Sequence, residues 1–68
     1  MILSIIFSNG KIDSFEVRRV CPSHIKNAFS YQPSLYYETP SHEWGKGVDI
    51  PMGDIVSFDV RSKDYYYS

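Results

Sequence analysis

Cys21, His24 and His42 are the one group of residues in this sequence whose types could bind a metal ion or form a thiol–imidazole pair. A structural zinc site needs four ligands, usually Cys and His in closely spaced pairs. A catalytic thiol needs a nearby base that a third group holds in place. The three residues meet neither condition. We therefore expect Cys21 to be inert and no metal or other cofactor to be bound.

Carboxylates and one glycine-rich segment are the other residues that could do chemistry. The acidic side chains that could act as acid and base, or bind a hard cation, are Glu43, Asp49, Asp54 and Asp59. They are spread over a predicted loop, a turn and a strand, without the spacing typical of either kind of site. Gly45-Lys46-Gly47 lacks the longer glycine spacing and the Ser or Thr of a P-loop. We therefore predict that the protein is not an enzyme.

Aromatic and basic residues are the set that best fits a recognition surface. Aromatics make up 16% of the chain, too large a share to be buried entirely in so small a protein, and Tyr and Trp are common at interfaces. The residues predicted to contact a partner are Arg18, Arg19, Tyr36, Trp44, Tyr65, Tyr66 and Tyr67. Such a mixture also occurs in proteins that bind single-stranded nucleic acid. The formal net charge of −1, with both signs interspersed, argues against general nucleic-acid binding.

Trp44 has two interpretations. It lies in a predicted loop, residues 41–47, where no alternating pattern draws it into a core. It is either an anchor for a partner, since Trp often dominates interface energy, or a lid that closes the end of the core. The sequence leaves both alternatives open.

The elements that must position these residues begin with a β-hairpin over residues 1–20. Runs rich in β-branched and aromatic residues flank Asn9-Gly10, which supplies the positive φ angles that tight turns need. A two-residue loop would place Leu3 opposite Glu16, whereas a three-residue loop places it opposite Phe15. We therefore predict the three-residue loop, with Gly10 left-handed and with this core face: Leu3, Ile5, Phe7, Phe15 and Val17. Apolar residues on both faces of the first run indicate a central strand or a strand of a small barrel.

The rest of the chain is predicted to add two or three strands and at most one short helix. Cys21-Pro22 should end the second strand, because proline removes a donor from the ladder. Residues 24–29 follow, either as a short helix capped by Ser23 or as an irregular loop. Further strands are predicted over residues 35–39, 48–50 and 54–61, the last with Val56, Phe58 and Val60 facing the core.

These elements predict a single domain over residues 1–68, of mainly β class. We expect a small antiparallel sheet of four or five strands, curled towards a barrel of SH3-like or Sm-like size. One helix packed on a four-stranded sheet is the alternative. So short a chain buries only about 60% of its unfolded surface, which indicates modest stability without a staple or a partner.

The predicted function follows from small size, the lack of a catalytic set, near-neutral charge and surplus aromatics. We expect a non-enzymatic protein that docks on a larger protein, most simply as a stoichiometric inhibitor or adaptor. In length and texture the chain is similar to small phage-encoded proteins that block host enzymes or defence nucleases. A single-stranded nucleic-acid-binding module is the alternative.

Two further expectations concern assembly and location. A homodimer through the C-terminal strand, residues 54–67, is expected because an unpaired sheet edge recruits other chains. The apolar start has no basic leader, and no apolar run approaches the roughly 20 residues that span a bilayer. We therefore expect a soluble, cytoplasmic protein without membrane association.

Overall fold

The computed structural model describes residues 1–62, which form two antiparallel three-stranded sheets. The elements in chain order are β1 (Ile2–Phe7), β2 (Ile12–Glu16), β3 (Arg19–Lys26), β4 (Tyr31–Glu38), β5 (Val48–Pro51), a 3₁₀ turn (Met52–Asp54) and β6 (Ile55–Arg61). Sheet 1 has the strand order β2-β1-β6 and sheet 2 the order β3-β4-β5. The mainly β class is confirmed, and the alternative with a helix packed on a sheet is wrong for these residues. They contain no helix long and apolar enough to cross a membrane.

The opening hairpin forms with the predicted turn and register, but its second strand ends at Glu16 rather than before Cys21. Leu3 lies opposite Phe15, and Gly10 has a φ of 91°. The Phe7 N–H donates to the Lys11 carbonyl at 2.8 Å, which closes a loop of three residues. With β6 on its other side, β1 is the central strand of sheet 1, as predicted. Its outer face is not buried, however, since Ile6 is 40% exposed.

A bend joins the two sheets. Only Val17 and Arg18 separate β2 from β3, so one nearly continuous stretch of chain passes from sheet 1 into sheet 2. Val17 is buried at this point, and the Arg18 N–H donates to the Glu38 carbonyl at the end of β4, at 2.8 Å. The described chain therefore has six strands in two sheets rather than the predicted single sheet of four or five strands, because the bend separates β2 from β3. In this part of the chain no strand of one sheet pairs with a strand of the other, and no barrel closes.

The segment after Pro22 differs from the prediction. It is neither a short helix nor an irregular loop, because β3 continues through Pro22 to Lys26. Since β3 is an outer strand of sheet 2, a proline can be placed there without breaking a ladder on both sides. Pro33 is tolerated in β4 for a similar reason, because β4 pairs with β5 only from Ser34 onwards.

The core lies between the sheets. The fully buried apolar side chains are Leu3, Ile5, Val17 and Leu35, and those packed against them are Phe7, Phe15, Val20, Tyr37, Ile50 and Ile55. The predicted core face of the hairpin is thus confirmed. Sheet 2 contributes through alternate residues of β4, and the rings of Phe15 and Tyr37 meet across the sheets with centroids 5.0 Å apart.

The C-terminal strand contributes less to the core than predicted. Val56, Phe58 and Val60 are 67%, 41% and 39% exposed, so the expectation that they form part of the buried core is wrong. Phe58 and Val60 do lie on the inner face, opposite Ile5 and Leu3, but β6 is an outer strand of sheet 1. A shift in the β1–β6 register then places Ile55 rather than Val56 opposite Phe7.

Candidate functional site

A buried carboxylate organises the site on the outer face of sheet 2. Glu38 is the last residue of β4, and its side chain is fully buried although it points away from the core. Oε1 accepts from Arg18, with Nη2 at 3.0 Å, and Oε2 is 3.3 Å from Arg19 Nη1. Oε2 also accepts from the Tyr36 hydroxyl at 2.5 Å and from the Gly45 N–H at 2.9 Å. A buried carboxylate needs such a complete set of donors to remain ionised.

The loop between β4 and β5 covers this carboxylate. The Lys46 N–H donates to the Glu43 carbonyl at 3.0 Å, so residues 43–46 form a turn. Gly45 is its third residue and has a φ of 81°, as the third position of a type II turn requires. Trp44 is the second residue of the turn and therefore stands at its corner.

Gly47 fixes where the loop returns to sheet 2. Its N–H donates to the Tyr36 hydroxyl oxygen at 2.9 Å. A Cβ at this position would lie 2.0 Å from the Tyr37 carbonyl oxygen, so no other residue fits without a shift of the backbone. Gly45 and Gly47, which resemble a P-loop only weakly, thus have structural roles. Gly45 allows the turn and Gly47 allows the close approach to Tyr37.

Arg18, Arg19, Tyr36 and Trp44 form one surface, which we call the Trp44 surface. Trp44 is 74% exposed, which excludes the interpretation as a core lid. The guanidinium carbons of Arg18 and Arg19 lie 5.5 and 5.2 Å from the centre of the indole. Arg19 also lies 5.6 Å from the Tyr36 ring. Cation–π contacts of this kind stabilise by about 0.5–1 kcal/mol each at exposed sites.

The charges of this cluster shift two pKa values. The hydrogen bond from the Tyr36 hydroxyl, with those from Gly45 and Arg18, holds the pKa of Glu38 below its ordinary value, although burial acts in the opposite direction. The same hydrogen bond to Glu38, together with burial, raises the pKa of Tyr36. Glu38 therefore stays ionised and Tyr36 stays protonated over a wide range around neutrality.

The other chemically capable residues are dispersed. His24 stacks on Tyr31 at 4.6 Å, whereas His42 Nδ1 accepts from the Thr39 N–H at 2.9 Å. Cys21 is half-buried on β3. Within residues 1–62, no three His, Cys, Asp or Glu side chains are grouped closely enough to hold a metal ion. Tyr65, Tyr66 and Tyr67 lie outside the described residues.

Sequence reasoning missed a second exposed aromatic site, at the end of the β3–β4 hairpin. Residues 24–33 pair only with one another in the described chain, and we call them the arm. Phe29 at its tip is 98% exposed. Asn27 Oδ1 accepts from the N–H groups of Phe29 and Ser30 at 3.0 and 2.9 Å, so this tip is an ordered turn. Asn27 before Ala28 could have indicated this turn, but the spacing of Ile25 and Phe29 favoured a helix.

Comparison of the chain with protein-family models, with curated proteins and with solved structures finds no match.

Proposed function

We propose that the protein is a non-enzymatic binding protein that docks on a larger protein through the Trp44 surface, as a stoichiometric inhibitor or adaptor. One observation carries the proposal: Trp44 is 74% exposed and yet is held in place by two arginines and by the turn that contains it. An exposed side chain that is already fixed loses little conformational entropy when a partner binds.

The composition of the surface supports a protein partner. Trp, Tyr and Arg are the residue types that most often dominate interface energy. Both arginines are bonded to Glu38, which offsets part of their charge and fixes their guanidinium groups beside the indole. A partner that offers an apolar pocket for the indole and hydrogen-bond acceptors for the arginines fits this surface.

Single-stranded nucleic acid is the alternative partner. It is favoured by one observation, namely that the sequence has no acidic residue between Glu16 and Glu38, while Arg18, Arg19 and Lys26 lie in that interval. Bases could stack on the exposed rings, as they do on other single-strand binders. The bonds of both arginines to Glu38 weigh against it, because affinity for phosphates depends on available positive charge.

Quantitative affinity capture with Trp44→Ala tests the proposal. Trp44→Ala should remain folded, with a melting temperature lowered by several degrees through the loss of two exposed cation–π contacts, and should lose partner affinity by about thirtyfold or more, as an anchor worth roughly 2 kcal/mol implies. Ile12→Ala is the matched control, because Ile12 is also an exposed apolar side chain, at 67%, but lies on sheet 1. Equal capture by the two variants would contradict the proposal.

The chain's single tryptophan separates the two kinds of partner. Indole fluorescence should change on addition of the captured protein and stay constant on addition of single-stranded oligonucleotides. A fluorescence change with any oligonucleotide that weakens steeply with salt would instead support the nucleic-acid alternative.

A further inference from the structure

The outer face of sheet 1 is the face that points away from sheet 2. Leu3 and Ile5 of β1 are buried in the core, so the alternate residues of this strand point outwards. Residues that pair directly share a face. The outer face therefore carries Ile2, Ser4 and Ile6 of β1, Ile12, Ser14 and Glu16 of β2, and Ser57, Asp59 and Arg61 of β6. Strands that are apolar on both faces are typical of sheets covered on both sides, whereas Ile6 remains 40% exposed.

The end of this face next to the hairpin loop is apolar. Ile6 lies opposite Ile12, which is 67% exposed. On the other side of Ile6, the register shift between β1 and β6 inserts Val56 as an extra residue, and it is also 67% exposed. Three neighbouring strands thus expose apolar residues at one place, which is typical of a surface that binds another molecule.

The opposite end of the face carries charge. Ile2 lies between Glu16 of β2 and Arg61 of β6. Arg61 also has an exposed ion pair with Asp59, with Nε 3.4 Å from Oδ2. The negative charge of Glu16 and the positive charge of Arg61 therefore lie on the two outer strands of the sheet, level with each other on either side of β1.

We propose that this face packs against the same face of a second copy, about a twofold axis that runs parallel to β1. Rotation about this axis keeps the two ends of the sheet in place and exchanges its outer strands, so β2 of one copy faces β6 of the other. Glu16 then faces Arg61 of the other copy at both edges. The two Ile6 side chains meet at the axis, and Ile12 lies over the segment around Val56. Sheets commonly pack with their strands aligned to within about 30°, and a twofold contact closes without further copies.

The distribution of charged and apolar residues selects this axis. A twofold axis that crosses the strands in the plane of the interface would place the Ile6 end of one copy over the Arg61 end of the other. Charges would then be buried against apolar side chains, which is costly. The axis along β1 instead covers the apolar ends together and leaves Glu16 and Arg61 at the rim, where they pair. Asp59 then faces Ser14 of the other copy, which carries no charge.

Sedimentation equilibrium tests the proposal. The wild type should form a dimer at high micromolar concentration. Ile12→Asp should weaken the dimer by roughly tenfold or more, because it places a carboxylate in the apolar part of the interface twice. Ile12 is 67% exposed in the single chain, so the variant should fold, and a thermal melt checks this. A dimer through the C-terminal strand alone would tolerate Ile12→Asp, because Ile12 lies on β2.

Charge reversal tests the orientation of the two copies. Glu16→Lys and Arg61→Glu should each weaken the dimer by roughly tenfold, because each places like charges opposite one another at both edges. The double variant E16K/R61E should recover most of the lost association, since it exchanges the two charges and keeps both pairs.

Two variants outside sheet 1 are the controls, and both should leave the dimer unchanged. Phe29→Asp matches Ile12→Asp, because Phe29 is an exposed apolar side chain on the arm. Lys46→Glu matches the change in net charge of Arg61→Glu and lies in the exposed loop before β5. The Trp44 surface lies on the outer face of sheet 2, on the other side of the core, so the dimer leaves it exposed in both copies.

Three results would overturn the proposal. The first is a wild-type protein that stays monomeric at all concentrations. The second is a dimer that tolerates Ile12→Asp. The third is a double variant E16K/R61E that associates no better than either single reversal, with thermal melts showing that all three are folded.

Discussion

At the level of single residues, Glu38 makes the stability of the protein depend on pH. Its pKa is held low in the folded protein, first by the Tyr36 hydroxyl and also by Gly45 and Arg18. The carboxylate's contribution to stability is therefore complete above its ordinary value of 4.5 and is lost as the pH falls through the lower folded-state pKa.

Glu38→Gln should remove this acid-labile part of the stability. In urea unfolding between neutral pH and acid pH, the free energy of unfolding of Glu38→Gln should start lower than that of the wild type and fall less steeply below the ordinary pKa. Glu43→Gln is the control, because the Glu43 carboxylate is 81% exposed. If the free energy of unfolding of Glu38→Gln fell with pH as steeply as that of the wild type, the hydrogen bonds to the Glu38 carboxylate would not stabilise the folded protein as described.

The site was only partly predictable at this scale. Arg18, Arg19, Tyr36 and Trp44 were named from residue type alone, and the structure brings them together. Glu38 was not, because its burial depends on the loop after β4 folding back over the end of that strand. No local sequence pattern indicates that a later loop will fold back over the end of a strand. A strand-terminal Glu beside tyrosines has the same sequence whether it is solvated or covered.

Among the elements, the opening hairpin can be tested through its turn. Gly10→Val should destabilise the protein by about 1–2 kcal/mol, since a side chain is poorly tolerated at a φ of 91°. Nothing else lies within 4 Å of a Cβ added at Gly10, so a steric clash of this atom with the rest of the protein does not contribute to the loss. Lys11→Ala should cost less than about 0.5 kcal/mol, because it removes only an exposed ion pair with Asp13. Chemical denaturation measures both, and equal losses would mean that the turn does not set the register.

The same comparison explains which elements the sequence could predict. The hairpin is local: turn residues and flanking alternation lie within twenty residues and agree with each other. The structure of the arm, in contrast, depends on residues that are distant in sequence. A proline ends an inner strand but is tolerated in an outer one, and β3 is an outer strand only because β4 pairs with β5 on its other side. Element boundaries near Pro22 and Pro33 were therefore wrong, although the strands over residues 48–50 and 54–61 were placed within one residue of each observed end.

For the whole molecule, core truncations should distinguish buried from partly covered positions. Ile5→Ala should lower the free energy of unfolding by about 2–5 kcal/mol, a large share of the 5–15 kcal/mol typical of a domain. Phe58→Ala should cost clearly less, since Phe58 is 41% exposed while Ile5 is fully buried. Urea unfolding at low protein concentration, where association is minimal, makes this comparison. A loss at Phe58 as large as that at Ile5 would mean that β6 is covered.

The pairing of β1 with β6 also has a consequence for the order of folding. Ile2 lies beside Arg61, so sheet 1 requires the closure of almost the entire described chain, whereas β3, β4 and β5 join through neighbouring hairpins. Closing long loops costs entropy before any contact is gained, and such non-local pairing slows folding. We therefore expect sheet 2 and the opening hairpin to form early and β6 to be added last. Substitutions in β6 should then mainly speed unfolding, while those at the bend between β2 and β3 should mainly slow folding.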